Sequence, residues 1–125
     1  MTSANLKDLA MDFLRLAASG HIRDAYSKYV SPSFFHHNPF FRGDADSLML
    51  AMEENAAKHP KKVLKIHRVL ADGDLVAVHS HVMLNPGDQG VALVHIFRFQ
   101  DAKIVELWDI GQAVPEIVPN EHGMF

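Results

Sequence analysis

The chain has 125 residues, with twelve Lys and Arg against fifteen Asp and Glu, a net charge of −3 with histidine neutral. That length fits one domain, 1–125; 48% hydrophobic and 22% charged residues exclude wholesale disorder, and the lack of cysteine excludes disulfides, thiolate metal sites and cysteine nucleophiles. Near-neutral charge without a basic block argues against nucleic acid. No apolar run reaches the roughly 18 residues of a membrane span, and Met1 to Leu9 carries no basic-then-apolar leader, so a cytoplasmic protein without membrane contact is the expectation.

Leu6, Leu9, Ala10, Phe13, Leu14, Leu16 and Ala17 recur at three- and four-residue steps and predict a first helix stopped at Gly20. Ile22, Ala25, Tyr26, Tyr29 and Val30 predict a second, ended by Pro32. Ser33 to Phe41, SFFHHNPFF, reads as a short extended segment ending at Asn38-Pro39. A third helix opens after Gly43, with Asp44 or Asp46 as cap and Leu48, Met49, Met52 and Ala56 as its buried stripe, and Pro60 closes it. Four strands follow, Val63 to Leu70, Leu75 to Leu84, Val91 to Phe99 and Ile104 to Asp109, then a tail with Pro115 and Pro119. Helices followed by an antiparallel meander imply an α+β fold with the helices on one face of the sheet.

The turns decide which side chains share a face. An Asp72-Gly73 turn pairs Ala71 with Asp74, which sets His79 opposite Ile66 and His81 opposite Leu64, with Val76, Val78, Ser80 and Val82 pointing the other way beside Val69 and His67. In the second hairpin a four- or five-residue loop sets His81 opposite Val94 or His95. In the third, a two-residue turn sets Asp109 opposite Val94, and a longer turn with a bulge sets it opposite His95. Matching choices put Asp109 on the face of His79 and His81; mixed choices put it on the other face. Val69, Val76, Val78 and Val82 are too apolar a row to leave in water, and they predict a twofold dimer through the sheet.

The chain holds nine histidines and a single tryptophan. His79 and His81, at i and i+2 on one strand, can ligate a metal with His95 or Asp109 as a third ligand, or can line an organic-ligand site. Asp109, after Trp108 at the end of a buried strand, suits general acid–base work; its bland reading is a solvated strand-end carboxylate. His37 and Asn38 lie in the aromatic segment, and His36 should alternate to the opposite side. His21, His59 and His122 read as surface residues, Met11, Met49, Met52 and Met83 as core filler, and Lys58, Lys61 and Lys62 as a solvated helix end. There is no G-x-G-x-x-G, P-loop, G-x-S-x-G or H-E-x-x-H, which removes most support for nucleotide-dependent and serine-hydrolase chemistry.

Three stretches carry a resemblance: F-x-H-H-N-P from Phe34, A-D-G-D-L-V-A-V-H-S-H from Ala71 and K-I-V-E-L-W-D-I-G-Q from Lys103. In them the chain resembles the SnoaL-like proteins, and more closely the subgroup described as predicted SnoaL-like aldol-condensation enzymes, within the nuclear-transport-factor-like superfamily that also holds ketosteroid isomerase and scytalone dehydratase. The resemblance implies three helices on a curved, cone-shaped antiparallel sheet enclosing an apolar pocket, and a homodimer through the sheet. It implies that Asp109 and His95 are the acid–base pair of the polyketide cyclases. His37 and Asn38 then fall at the pocket mouth, with His79, His81, Trp108 and Gln112 as further substrate-binding positions. Many members of the subgroup carry Gln where His36 stands.

Cyclase chemistry of this kind needs no cofactor: a base removes the proton alpha to a carbonyl and the enolate attacks a second carbonyl. Three readings follow. The first is a cofactor-independent lyase- or isomerase-type enzyme acting on a hydrophobic carbonyl compound. The second is a non-catalytic small-molecule-binding module of the same fold. The third is a metal-binding protein using His79 and His81.

Overall fold

The computed structural model of the chain describes residues 3–125; Met1 and Thr2, with which the leader reading begins, lie outside the described residues. Helix α1, Ser3–Ala18, buries Leu6, Ala10, Phe13, Leu14 and Ala17 as a single stripe. It ends where Gly20 takes φ +88°. The amide of Gly20 then donates to the Ala17 carbonyl and that of His21 to the Leu16 carbonyl, which satisfies two carbonyls the helix leaves open. Helix α2, Ile22–Tyr29, buries Ile22, Ala25, Tyr26 and Tyr29. Helix α3, Ala45–Lys58, is capped by Asp44, whose carboxylate accepts from the Ser47 amide at 2.9 Å. No helix among the described residues is long and apolar enough to cross a membrane.

The strands are β1 Val30–His36, β2 Val63–Asp72, β3 Leu75–Met83, β4 Val91–Gln100 and β5 Lys103–Ala113. Their order is β1-β5-β4-β3-β2, so the antiparallel meander predicted from the sequence is present. The first strand adds to it in parallel against β5, which makes the sheet mixed and open between two edges rather than an antiparallel closed cone. Pro32 does not stop α2. It lies inside β1, which starts as soon as α2 ends, and an edge strand tolerates the missing amide, helped here by a register irregularity between Val30 and Phe35.

Each hairpin departs from the simple count. In the first, Asp72 pairs with Leu75, so Gly73 at φ +60° takes the first turn position, and a bulge between Ile66 and Arg68 sets His79 opposite Arg68 and His81 opposite Lys65. In the second, Val82 pairs with Val91 across a long loop, which sets His81 opposite Ala92 and His79 opposite Val94. In the third, Asp101 and Ala102 both have positive φ in a two-residue turn, and a bulge at Arg98/Phe99 brings Asp109 opposite His95. The registers are therefore mixed: His95 and Asp109 share the face of Val78, and His79 and His81 take the other.

That face is the one the helices cover. Val76 and Val78 are fully buried in one core with Phe13, Tyr26, Phe97 and Leu107, and Val69 packs against them. The expectation that these valines meet a second copy of the chain is corrected: the helices bury them. Exposed apolar side chains do occur on the opposite side of the sheet, where Leu70 and Ile110 are 59% and 55% exposed.

One glycine is held by close approach. Gly90 has φ +74°, and a Cβ there would stand 2.2 Å from the Val82 carbonyl oxygen. Gly90→Ala combines a left-handed backbone with a backbone clash. It is expected to destabilise the protein by about 2 kcal/mol or more, read as a fall in thermal midpoint; an unchanged midpoint contradicts the account.

Candidate active site

A cavity of about 240 Å³ opens between α1, α3 and the covered face of the sheet. Its lining is largely apolar, with Phe13, Leu48, Leu64 and Leu107 among the contributors, and its polar groups are Asn38, Asn55, Lys62, His95 and Asp109. Small side chains leave the space open: Ala17, Ala18 and Ala51 line it with methyl groups only.

Asp109 and His95 are cross-strand partners on β5 and β4. The carboxylate Oδ1 lies 3.5 Å from His95 Nε2, and the two side chains are 21% and 12% exposed. The other oxygen, Oδ2, accepts from Asn38 Nδ2 at 2.8 Å. Asn38 is itself oriented, because its Oδ1 accepts from the Phe40 amide at 3.0 Å, which turns its NH₂ group toward Asp109. The loop that carries Asn38 is closed by His36. The His36 Nε2 donates to the Arg42 carbonyl at 2.6 Å, and its Nδ1 accepts from the Asn38 amide at 3.0 Å. His36 is therefore a buried positioning residue, on the side opposite His37 as alternation predicts.

His95 Nδ1 is buried without a hydrogen-bond partner. Burial pushes the His95 pKa below that of free histidine, and the neighbouring Asp109 charge only partly opposes this. The imidazole is thus neutral near pH 7. Folding favours the neutral ring, so its contribution to stability is present above about pH 6.5, the unfolded value, and is lost as pH falls through the lower folded value. His95→Phe removes both the orphaned nitrogen and the titration. Its expected result is a gain of about 1 kcal/mol at pH 7, together with a flatter fall of thermal midpoint below pH 6.5; a variant that is less stable at every pH overturns this. Nearby, the Tyr26 hydroxyl donates to Met52 Sδ at 3.2 Å, and burial, with the Asp109 charge, raises its pKa strongly, so it stays protonated.

Lys62 is not a solvated helix end. It lies half-buried just before β2, lines the cavity and donates to Asn55 Oδ1, and burial lowers its pKa. Nothing in the Lys58–Lys62 run marks it out. The signal is the break at Pro60, which turns the chain back over the end of α3.

The remaining residues expected to bind substrate lie elsewhere. On the opposite face His37 stacks on Trp108, with centroids 5.1 Å apart, and contacts Glu106 at 2.7 Å. Burial alone would raise the Glu106 pKa, but His37 and Arg98 outweigh it and hold it below the usual carboxylate range. His79 and His81 stand with His67 around the ring of Phe125, at 5.6, 4.4 and 4.6 Å between centroids, and Gln112 is exposed opposite Ala92. None of these five expected positions lines the cavity. Among the described residues no group of three or more His, Asp or Glu side chains is placed to hold a metal ion.

The model of the SnoaL-like domain matches residues 10–107. The chain belongs to the SnoaL-like domain family. None of the curated proteins matches this SnoaL-like chain. Among solved structures it is similar to AclR from Streptomyces galilaeus, a proposed hydroxylase, at 23% identity and TM-score 0.76, over 91% of this chain and 83% of that one. It is similar to a proposed polyketide cyclase from Acidithiobacillus ferrooxidans at 19% identity and TM-score 0.69, over 90% and 91%. A proposed ketosteroid isomerase from Kribbella flavida matches at 20% identity and TM-score 0.71, over 96% and 87%. At these identities the likeness is one of fold, and the named activities belong to those proteins.

Proposed function

We propose that this SnoaL-like domain is a small cofactor-independent acid–base enzyme that enolises a hydrophobic carbonyl compound, in the manner of an isomerase or an aldol-type lyase. The observation that carries this reading is Asp109, a carboxylate facing an apolar cavity, with one oxygen held by Asn38 at 2.8 Å and the other beside His95 Nε2 at 3.5 Å. An Asp109 oxygen takes the proton alpha to the carbonyl; the C–H bond breaks and an O–H bond forms. The 3.5 Å contact is too long to commit His95, whose neutral ring can donate from Nε2 to the developing enolate oxygen. The proton then returns from Asp109 to a different carbon, or the enolate attacks a second carbonyl and the new alkoxide takes it. Asn38 fixes the carboxylate that does this work.

The test is deuterium incorporation alpha to the carbonyl of small apolar ketones in D₂O, followed by NMR. Exchange above the buffer rate that vanishes in Asp109→Asn supports the proposal. Saturable ketone binding without exchange turns the reading to the non-catalytic binding module.

We also propose a homodimer through the exposed face of the sheet. Support comes from Leu70, Leu75 and Ile110, and from Phe35 at its edge, all large apolar side chains in water. Wild-type protein is expected to sediment as a dimer and Ile110→Lys as a monomer; a wild-type monomer removes this part of the proposal.

A further inference from the structure

The cavity has a second polar end that the acid–base pair does not use. Asn55 comes from the last turns of α3 and Lys62 from the residue just before β2, whereas Asp109 and His95 come from β5 and β4. The Lys62 ammonium donates to Asn55 Oδ1. That bond turns the amide oxygen toward the ammonium, and among the described residues the hydrogens on Asn55 Nδ2 have no hydrogen-bond acceptor. What the pair offers to the cavity is mainly donors: two on the amide and those left on the ammonium.

Among the described residues no carboxylate pairs with the cation. The ion pairs among the described residues join Arg23 to Glu53, Lys28 to Asp12, Arg98 and His37 to Glu106, His95 to Asp109 and His122 to Glu121; none includes Lys62. A half-buried ammonium against an apolar wall is costly unless an anion meets it. Convergent donors and a positive charge describe a receptor for a carboxylate.

We infer that Lys62 and Asn55 form the anion-binding end of the cavity, and that the carbonyl substrate carries a carboxylate which they hold while its acidic carbon faces Asp109. This rests on the proposed acid–base reading for the second half of the statement only. The cavity of about 240 Å³ is open to solvent on one side, and a short-chain or single-ring keto acid is the simplest class that spans its two polar ends.

The charge preference can be read without turnover. The probes are phenylacetate and its neutral isostere phenylacetamide, titrated into the full-length protein at pH 7 by calorimetry. The wild type is expected to bind the carboxylate about tenfold more tightly, the usual scale of one charge-assisted hydrogen bond. Lys62→Met should bring the ratio near one while amide binding is retained. Asn55→Leu should reduce it several-fold, and Lys62→Arg should keep it. A wild type with no carboxylate preference, or a preference that survives Lys62→Met, overturns the inference. Asp109→Asn separates the two proposals: it should keep the carboxylate preference while losing deuterium exchange. A carboxylate preference alongside a ketone exchange that Asp109→Asn leaves intact would sink the acid–base reading and leave the anion site standing.

Discussion

Asp109→Asn is expected to lower alpha-proton exchange by about 10²–10⁴-fold, down to the background rate if no other group accepts the proton. The substitution is nearly isosteric, so the cavity keeps its shape, and the protein should remain folded. What changes is the proton inventory. The carboxylate accepts from Asn38 at 2.8 Å and lies beside the neutral ring of His95. An asparagine there keeps an oxygen that can accept from Asn38 but replaces the basic carboxylate with a neutral, non-basic amide. It cannot take a proton from carbon. Asn38→Ala should give a smaller loss, because the base survives but its second oxygen is no longer held. Exchange at the wild-type rate in Asp109→Asn would show that the base lies elsewhere.

Phe97→Ala is expected to be the most damaging single truncation. Phe97 is fully buried and meets the edge of Phe13 at 5.8 Å and Phe99 at 6.3 Å, where α1 rests on the sheet. Removing a buried aromatic ring costs about 3–5 kcal/mol, a large part of the roughly 5–15 kcal/mol that holds a domain of this kind together. The ring also stacks beside His95, with centroids 6.1 Å apart, so the cavity should loosen with the core. Chemical denaturation with an unchanged slope and a midpoint lowered by that amount is the expected readout. A loss below about 1 kcal/mol would mean that α1 collapses into the gap far better than close packing allows.

The helices, the α3 cap and the meander were all legible in the sequence because each rests on local chemistry: the stripe from Leu6 to Ala17, the carboxylate at Asp44, the turn residues at Gly73 and Asp101. Asp109 and His95 were legible as types of residue, but their facing was not. Two bulges and a long second loop set the register, and a one-residue slip moves every side chain to the other face. His79 and His81 alternate with Val76 and Val78 as expected, but the helices cover the valine face, so the two histidines stand around Phe125 instead of in the cavity. Pro32 was misleading because its cost depends on strand position, and edge status is a tertiary property. Lys62 was hidden because a lysine beside two others looks solvated; only the turn after α3 swings it inward.

The parallel pairing of β1 with β5 also bears on how the site comes into being. Strands β2 to β5 are joined by hairpins and need only local closure, whereas Asn38 and Asp109 are 71 residues apart along the chain. Bringing such distant segments together is entropically the dearer step. The hydrogen bond that fixes the carboxylate therefore belongs to the last contacts to be made. Trp108, the sole tryptophan, stacks on His37 across the same seam, so its fluorescence is a built-in reporter of when the seam closes and the site is complete.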